Sequence, residues 1–167
     1  MSDAATRFQQ HRQALADAFF KDGRVTAYLS GHSAAADQAI IEMAKAVGLT
    51  PQIALLALGG YGRKELFPYS DLDVMILVPD DDYEKSMQEH IERFIAMLWD
   101  IGLNVGHCVR TVERALQESA KDITVQTALL EARCFWGNAS LFDQLQKDFS
   151  KTLDPAAFFR AKELERT

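Results

Sequence analysis

Asp71 and Asp73 stand one residue apart at the entrance to an unbroken apolar run, inside the stretch LGGYGRKELFPYSDLDVMIL at 58–77. Alternate residues of a strand point the same way, so the two carboxylates share a side and Leu72 takes the other. Neighbouring carboxylates repel, and both stay ionised most easily with a cation between them. Mg²⁺ (or Mn²⁺) suits such a pair, because a hard ion takes carboxylate oxygens, keeps several waters and completes its shell with substrate phosphate. Upstream, Gly59, Gly60 and Gly62 let the backbone approach a ligand closely. A short helix then offers free N–H groups and the positive end of its dipole to phosphate. Arg63 and Lys64 add positive charge in the same turn, although a solvated helix face would explain Lys64 equally well. Ser70 either contacts a phosphate or turns the chain after Pro68 and Tyr69. A phosphate cradle beside metal-binding acids is the equipment of phosphoryl or nucleotidyl transfer.

The surrounding elements must hold these groups in place. PQIALLALGG is a short apolar run opened by Pro51 and closed by Gly59 and Gly60, the pattern of a strand buried on both faces. A second buried strand is expected over 72–78. A third is expected in LNVGHCVRT, with Leu103, Val105, His107 and Val109 on one face and Asn104, Gly106, Cys108 and Arg110 on the other. Helical spacing predicts helices over 2–23, 33–47 and 83–101, ended by Gly23, Gly48 and Gly102. From Val112 onward the pattern reads as helical, with a break near Gly137 and Asn138. Trp99 and Trp136 fall at helix positions among apolar neighbours and are expected in the core. His107 is expected half-buried, as a core or supporting residue. PDDDYE reads as an exposed acidic loop and helix cap. The fold class is therefore α/β (α+β), a small mixed sheet flanked by helices.

A length of 167 residues suits one domain, or one domain with a helical annex. The net charge of −6 argues against a general nucleic-acid binder, while leaving room for a local positive site that takes a nucleotide. Cys108 and Cys134 lack metal-ligand spacing and read as buried, reduced thiols of a cytoplasmic protein. No run is long enough to span a membrane. DPAAFFRAKELERT starts as a capped helix with Pro155 in its first turn and has no C-terminal cap, so it is expected to continue in a longer protein.

The glycine pair, the short helix and Ser-Asp-hydrophobic-Asp on a following strand resemble the nucleotidyltransferase superfamily with the DNA polymerase beta-like fold. Together with LWDIGLNVGHCVRT and DITVQTALLEARCFWGN, they are similar to the N-terminal domain of the GlnD family, the bifunctional uridylyltransferase/uridylyl-removing enzymes of bacterial nitrogen control. The resemblance implies transfer of UMP from UTP to a tyrosine of the trimeric signalling protein PII, with release of pyrophosphate. It implies glutamine sensing only through further domains outside this chain. By position it makes Asp71 and Asp73 the catalytic, metal-binding acids and Gly59 and Gly60 the phosphate-loop pair, with Arg63 and Ser70 as further triphosphate contacts. The resemblance covers most of the chain from Leu55 onward; the chain is expected to divide into a helical segment over 1–50 that fits only as generic helices, a nucleotidyltransferase core over 51–111 and a truncated helical extension over 112–167. The family's third acid is expected where this sequence has Asn104, the possible third metal position. An amide can accept a hydrogen bond but cannot carry the charge or act as a base. Three other readings fit the same residues: a nucleotide-binding or regulatory module impaired in catalysis, a related nucleotidyltransferase with another acceptor, and a D-x-D phosphatase of the haloacid dehalogenase type. In the phosphatase, Met75 would occupy a position usually held by Thr or Val, and the glycines would be unexplained.

Overall fold

The computed structural model describes residues 3–67 and 71–152. Ser70 and the expected helix over 154–167 lie outside the described residues. Two helices, α1 (Asp3–Asp22) and α2 (Val25–Ala46), lead into strand β1 (Ala54–Leu58) and a single turn of helix, α3 (Gly59–Gly62). Strand β2 (Leu72–Val78) follows, then α4 (Asp81–Ser86), α5 (Gln88–Leu98), β3 (Val105–Thr111), α6 (Val112–Lys121), α7 (Ile123–Leu130), β4 (Arg133–Gly137) and α8 (Ala139–Thr152).

The strands form one mixed sheet in the order β3-β2-β1-β4. β1 runs antiparallel to β2 and β4, whereas β2 and β3 are parallel. Both faces are covered, which is why β1 and β2 read as continuous apolar runs. Leu55, Ala57, Val74 and Ile76 face Ile40 and Met43 of α2 and Phe94 of α5. Ala54, Leu56, Met75 and Leu77 face Val112 and Ala115 of α6, Leu129 of α7, and Leu145 and Phe149 of α8.

Several expectations change. The region after Val112 is not helical throughout, because Arg133–Gly137 adds β4 to the edge of the sheet beside β1. Cys134, Phe135 and Trp136 are consecutive apolar residues, a run too short for periodicity to separate strand from helix. Trp136 is thus a half-buried strand residue. Helix α2 begins at Val25, eight residues earlier than its periodicity suggests, and no side chain caps its start. Gly31 lies inside this helix where Leu15 of α1 crosses, and an added β-carbon would come within 2.7 Å of Leu15 Cδ2. The expected helix over 83–101 is divided into α4, α5 and a 3₁₀ turn at Trp99–Ile101. Asp80 caps α4 by accepting from the Tyr83 N–H at 2.7 Å. Trp99 is not in the core: it is 59% exposed and meets the ring of His107 edge-on. No helix among the described residues is long and apolar enough to cross a membrane.

Candidate active site

Asp73 sits in the second position of β2, between Leu58 of β1 and Gly106 of β3. These three residues lie on the face covered by α6 to α8. The Asp73 carboxylate lies directly over the α-carbon of Gly106, where any β-carbon would collide with it. Its other oxygen would be 3.7 Å from a β-carbon built on Gly59. The carboxylate therefore bridges the start of the glycine turn and the edge strand. It looks into a cleft of about 480 Å³ whose walls include Gly59, Gly106, Cys108, Thr127 and Glu131. A cleft of this size is in the range used by small-molecule ligands.

Burial, and secondarily the charge of Asp71, hold the Asp73 carboxyl above the ordinary aspartate range. Asp71 is exposed at the mouth of β2. Among the described residues no ion pair reaches either aspartate. Two uncompensated carboxylates, one of them partly desolvated, are a setting that a divalent cation relieves, so the donor chemistry fits Mg²⁺. Asn104 is exposed just before β3, and its backbone carbonyl accepts from the Leu72 N–H at 2.8 Å. That bond places it at the same end of the sheet as Asp71. No cluster of three or more acidic, His or Cys side chains suited to a metal occurs among the described residues.

The glycines divide by role. Gly59 has φ +58°, a left-handed conformation that a side chain would strain. Around Gly60 the nearest atoms to an added β-carbon are 3.5 and 3.6 Å away, so packing does not demand glycine there. Gly62 instead packs against the backbone carbonyls of Glu131 and Ala57, and a β-carbon would overlap both. The opening amides of this one-turn helix have no partner within it, the position from which helix N–H groups reach an anion. Arg63 reaches the turn, but Glu131 holds its guanidinium at 2.7 Å and Glu65 approaches it at 3.3 Å. Lys64 adopts φ +61° as the chain leaves the turn.

Of the other candidates, Cys108 lines the cleft and Cys134 does not. His107 is exposed on the face opposite Asp73, and is not the half-buried core residue expected. Cys108 and Cys134 are free and half-buried, and burial raises both thiols above their usual range. Two residues of the site escaped sequence reading. Gly106 carried a usable signal, since alternation in LNVGHCVRT puts it on the side of β3 that Asp73 must share. Glu131 carried none, because it lies between α7 and a strand that periodicity did not reveal.

The chain is similar over nearly its whole length to bifunctional uridylyltransferase/uridylyl-removing enzymes. It is 42% identical over 165 residues to the enzyme of Thiobacillus denitrificans, covering 99% of this chain and 19% of that enzyme. Against the enzyme of Chromobacterium violaceum it is 43% identical over 157 residues, covering 94% of this chain and 18% of the relative. The chain thus spans about a fifth of the length of the curated relatives it matches. The model of the nucleotidyltransferase family DUF294 matches residues 6–126. That match takes in the glycine turn, both aspartates and Asn104 and exceeds half of the chain, so the protein belongs to the DUF294 nucleotidyltransferase family.

Proposed function

We propose that the chain is the Mg²⁺-dependent transferase domain that moves UMP from UTP to a tyrosine of PII and releases pyrophosphate. The observation that carries this reading is the Asp73 carboxylate, set between the glycine turn and Gly106 with Asp71 beside it. The uridylyltransferase activity of the relatives supports UTP as the donor. In the reaction the tyrosine oxygen attacks the α-phosphorus, a new P–O bond forms, and the bond to pyrophosphate breaks. The amides at Gly59 and Gly60 would cradle the triphosphate. Asp71 and Asp73 would hold Mg²⁺, which when bound neutralises the triphosphate and the charge gathering on the leaving pyrophosphate. Arg63 would join the triphosphate contacts only by exchanging Glu131 or Glu65 for phosphate oxygens.

Asn104 favours a second reading, a nucleotide-binding module with impaired catalysis. The test is to incubate the chain with PII, Mg²⁺ and each labelled nucleoside triphosphate, and to compare Asn104→Glu in single turnover. The transferase reading expects label on PII from UTP, lost in Asp73→Asn. If Asn104 occupies a general-base position, the Glu variant gains roughly a hundredfold to ten-thousandfold in rate. Tight MgUTP binding with no transfer by either protein would select the second reading. Failure of the chain to bind any nucleoside triphosphate would overturn both.

A further inference from the structure

We propose that Asp37, on helix α2, is a positioning residue for the glycine turn and acts through Tyr61 and Arg133. The significance for nucleotide binding rests on the function proposed above; the geometry does not. Tyr61 is the residue of the turn that points away from the cleft, and it is fully buried. Its hydroxyl donates to Asp37 Oδ1 at 2.5 Å. Burial and the charge of Asp37 raise the Tyr61 phenol well above its usual range, so it keeps its proton and remains the donor. Arg133, the first residue of β4, grips the same carboxylate with both terminal nitrogens, at 2.7 Å to Oδ2 and 3.2 Å to Oδ1. The nitrogen at 3.2 Å also donates to the backbone carbonyl of Tyr61 at 3.1 Å. The guanidinium lies over the rings of Tyr61 and Phe135, at 5.3 and 5.9 Å from their centroids.

One carboxylate thus fixes both ends of Tyr61: the phenol directly, and the peptide through Arg133. A single helical turn has almost no stability of its own, so its orientation is set by what holds it. Tyr61 is flanked by Gly60 and Gly62, which restrain the backbone least. A forked, charge-assisted pair supplies the missing angular constraint. Neither Asp37 nor Arg133 lines the cleft, so their influence on a ligand there passes through the turn. An ion pair with both partners about four-fifths buried is weak evidence of added stability by itself. The contact that points to positioning is the bond Arg133 makes to the turn's own carbonyl.

Amide exchange in the ligand-free chain tests this directly. The amides of Arg63, Lys64 and Glu65 all donate within the turn, and those of Met75 and Ile76 report on the sheet. In Asp37→Asn, which keeps the shape and removes the charge, protection of the three turn amides should fall roughly tenfold or more, while the sheet amides stay within about twofold. Tyr61→Phe, a milder change that removes only the hydroxyl, should give a smaller loss at the same amides. The Kd for MgUTP should rise in step with the loosening of the turn. Unchanged turn amides in both variants would overturn the proposal. So would a uniform loss across turn and sheet, which would mark a general stabilising role. If the wild-type chain fails to bind MgUTP, the proposed function falls, and the exchange data still decide the role of Asp37.

Discussion

Asp73 keeps its carboxylate over the bare α-carbon of Gly106, and Gly62 keeps its own α-carbon against two backbone carbonyls. The same atom, a β-carbon, should therefore have opposite consequences at the two positions. At Gly106 the obstacle is a side chain that can rotate away, so alanine should preserve the fold and misplace the acid. We expect Gly106→Ala to weaken MgUTP binding roughly tenfold to a hundredfold, the range seen when the support of a metal ligand is lost, with little change in the urea midpoint. At Gly62 the obstacles are backbone, and alanine should destabilise the chain by about 1–3 kcal/mol through overpacking. Calorimetry and urea unfolding on both variants check the pair. A Gly106→Ala protein that binds MgUTP as the wild type does would remove Asp73 from the binding site. At this scale the sequence was informative where residue type and spacing alone single out candidates, as with Asp71, Asp73 and the glycines, which the fold brings to one end of the sheet. It was silent on Glu131 and on the pairing of Arg63, because both depend on which distant segments meet.

At the scale of elements, α2 does more than cover the sheet. Ser33 Oγ accepts from the Leu66 N–H at 3.2 Å, and His32 Nδ1 lies 2.8 Å from the Leu66 carbonyl. A carbonyl only accepts, so Nδ1 carries the proton and neutral His32 leaves Nε2 bare. Nε2 is buried without a hydrogen-bond partner among the described residues, in a ring stacked against Phe8 and Tyr28. Burial chiefly, and Arg12 in addition, lower the His32 pKa, against an opposing pull from the Leu66 carbonyl. Between the lowered folded value and the ordinary value of about 6.5, the unfolded chain binds the extra proton. This contribution to stability is complete above about pH 6.5 and is lost as pH falls through the folded value, at up to about 1.4 kcal/mol per pH unit. His32→Gln can retain a donor to Leu66 without the titration, so its urea stability should fall less than the wild type's between pH 7.5 and 5.5. Parallel losses in the two proteins would assign the effect to another group. The anchoring role of α2 was not legible in the sequence. Its periodicity signals a helix and a buried face, whereas Asp37, Ser33 and His32 gain their meaning from contacts 24 to 96 residues away. β4 was missed for a related reason: four of its five residues pair with β1, and only because α6 and α7 return the chain to that edge.

For the whole molecule, one sheet is closed by helices on both faces, and the cleft opens where the sheet's end meets α7. A net charge of −6 opposes an anionic nucleotide at long range, so the nucleotide binding proposed above would rest on local amides and on a cation brought in by the phosphates. Because the turn, the strands and α2 are joined through buried contacts, ligand binding should stabilise the chain as a unit. At a free MgUTP concentration one hundred times Kd, linkage supplies about 2.7 kcal/mol. For a chain of this size that corresponds to a rise in melting temperature of roughly 5–10 °C. Helical circular dichroism and tryptophan fluorescence should report the same shifted midpoint, since Trp99 and Trp136 flank opposite edges of the sheet. UTP without Mg²⁺ should move it much less, and Asp73→Asn should abolish most of the shift. Lowering the pH should shrink the shift earlier than an ordinary aspartate would allow, because the Asp73 pKa is raised and its protonated form no longer attracts a cation. An equal shift with UTP alone would leave the paired acids without a role in binding, and separate midpoints for the two probes would show that the helices and the sheet melt independently.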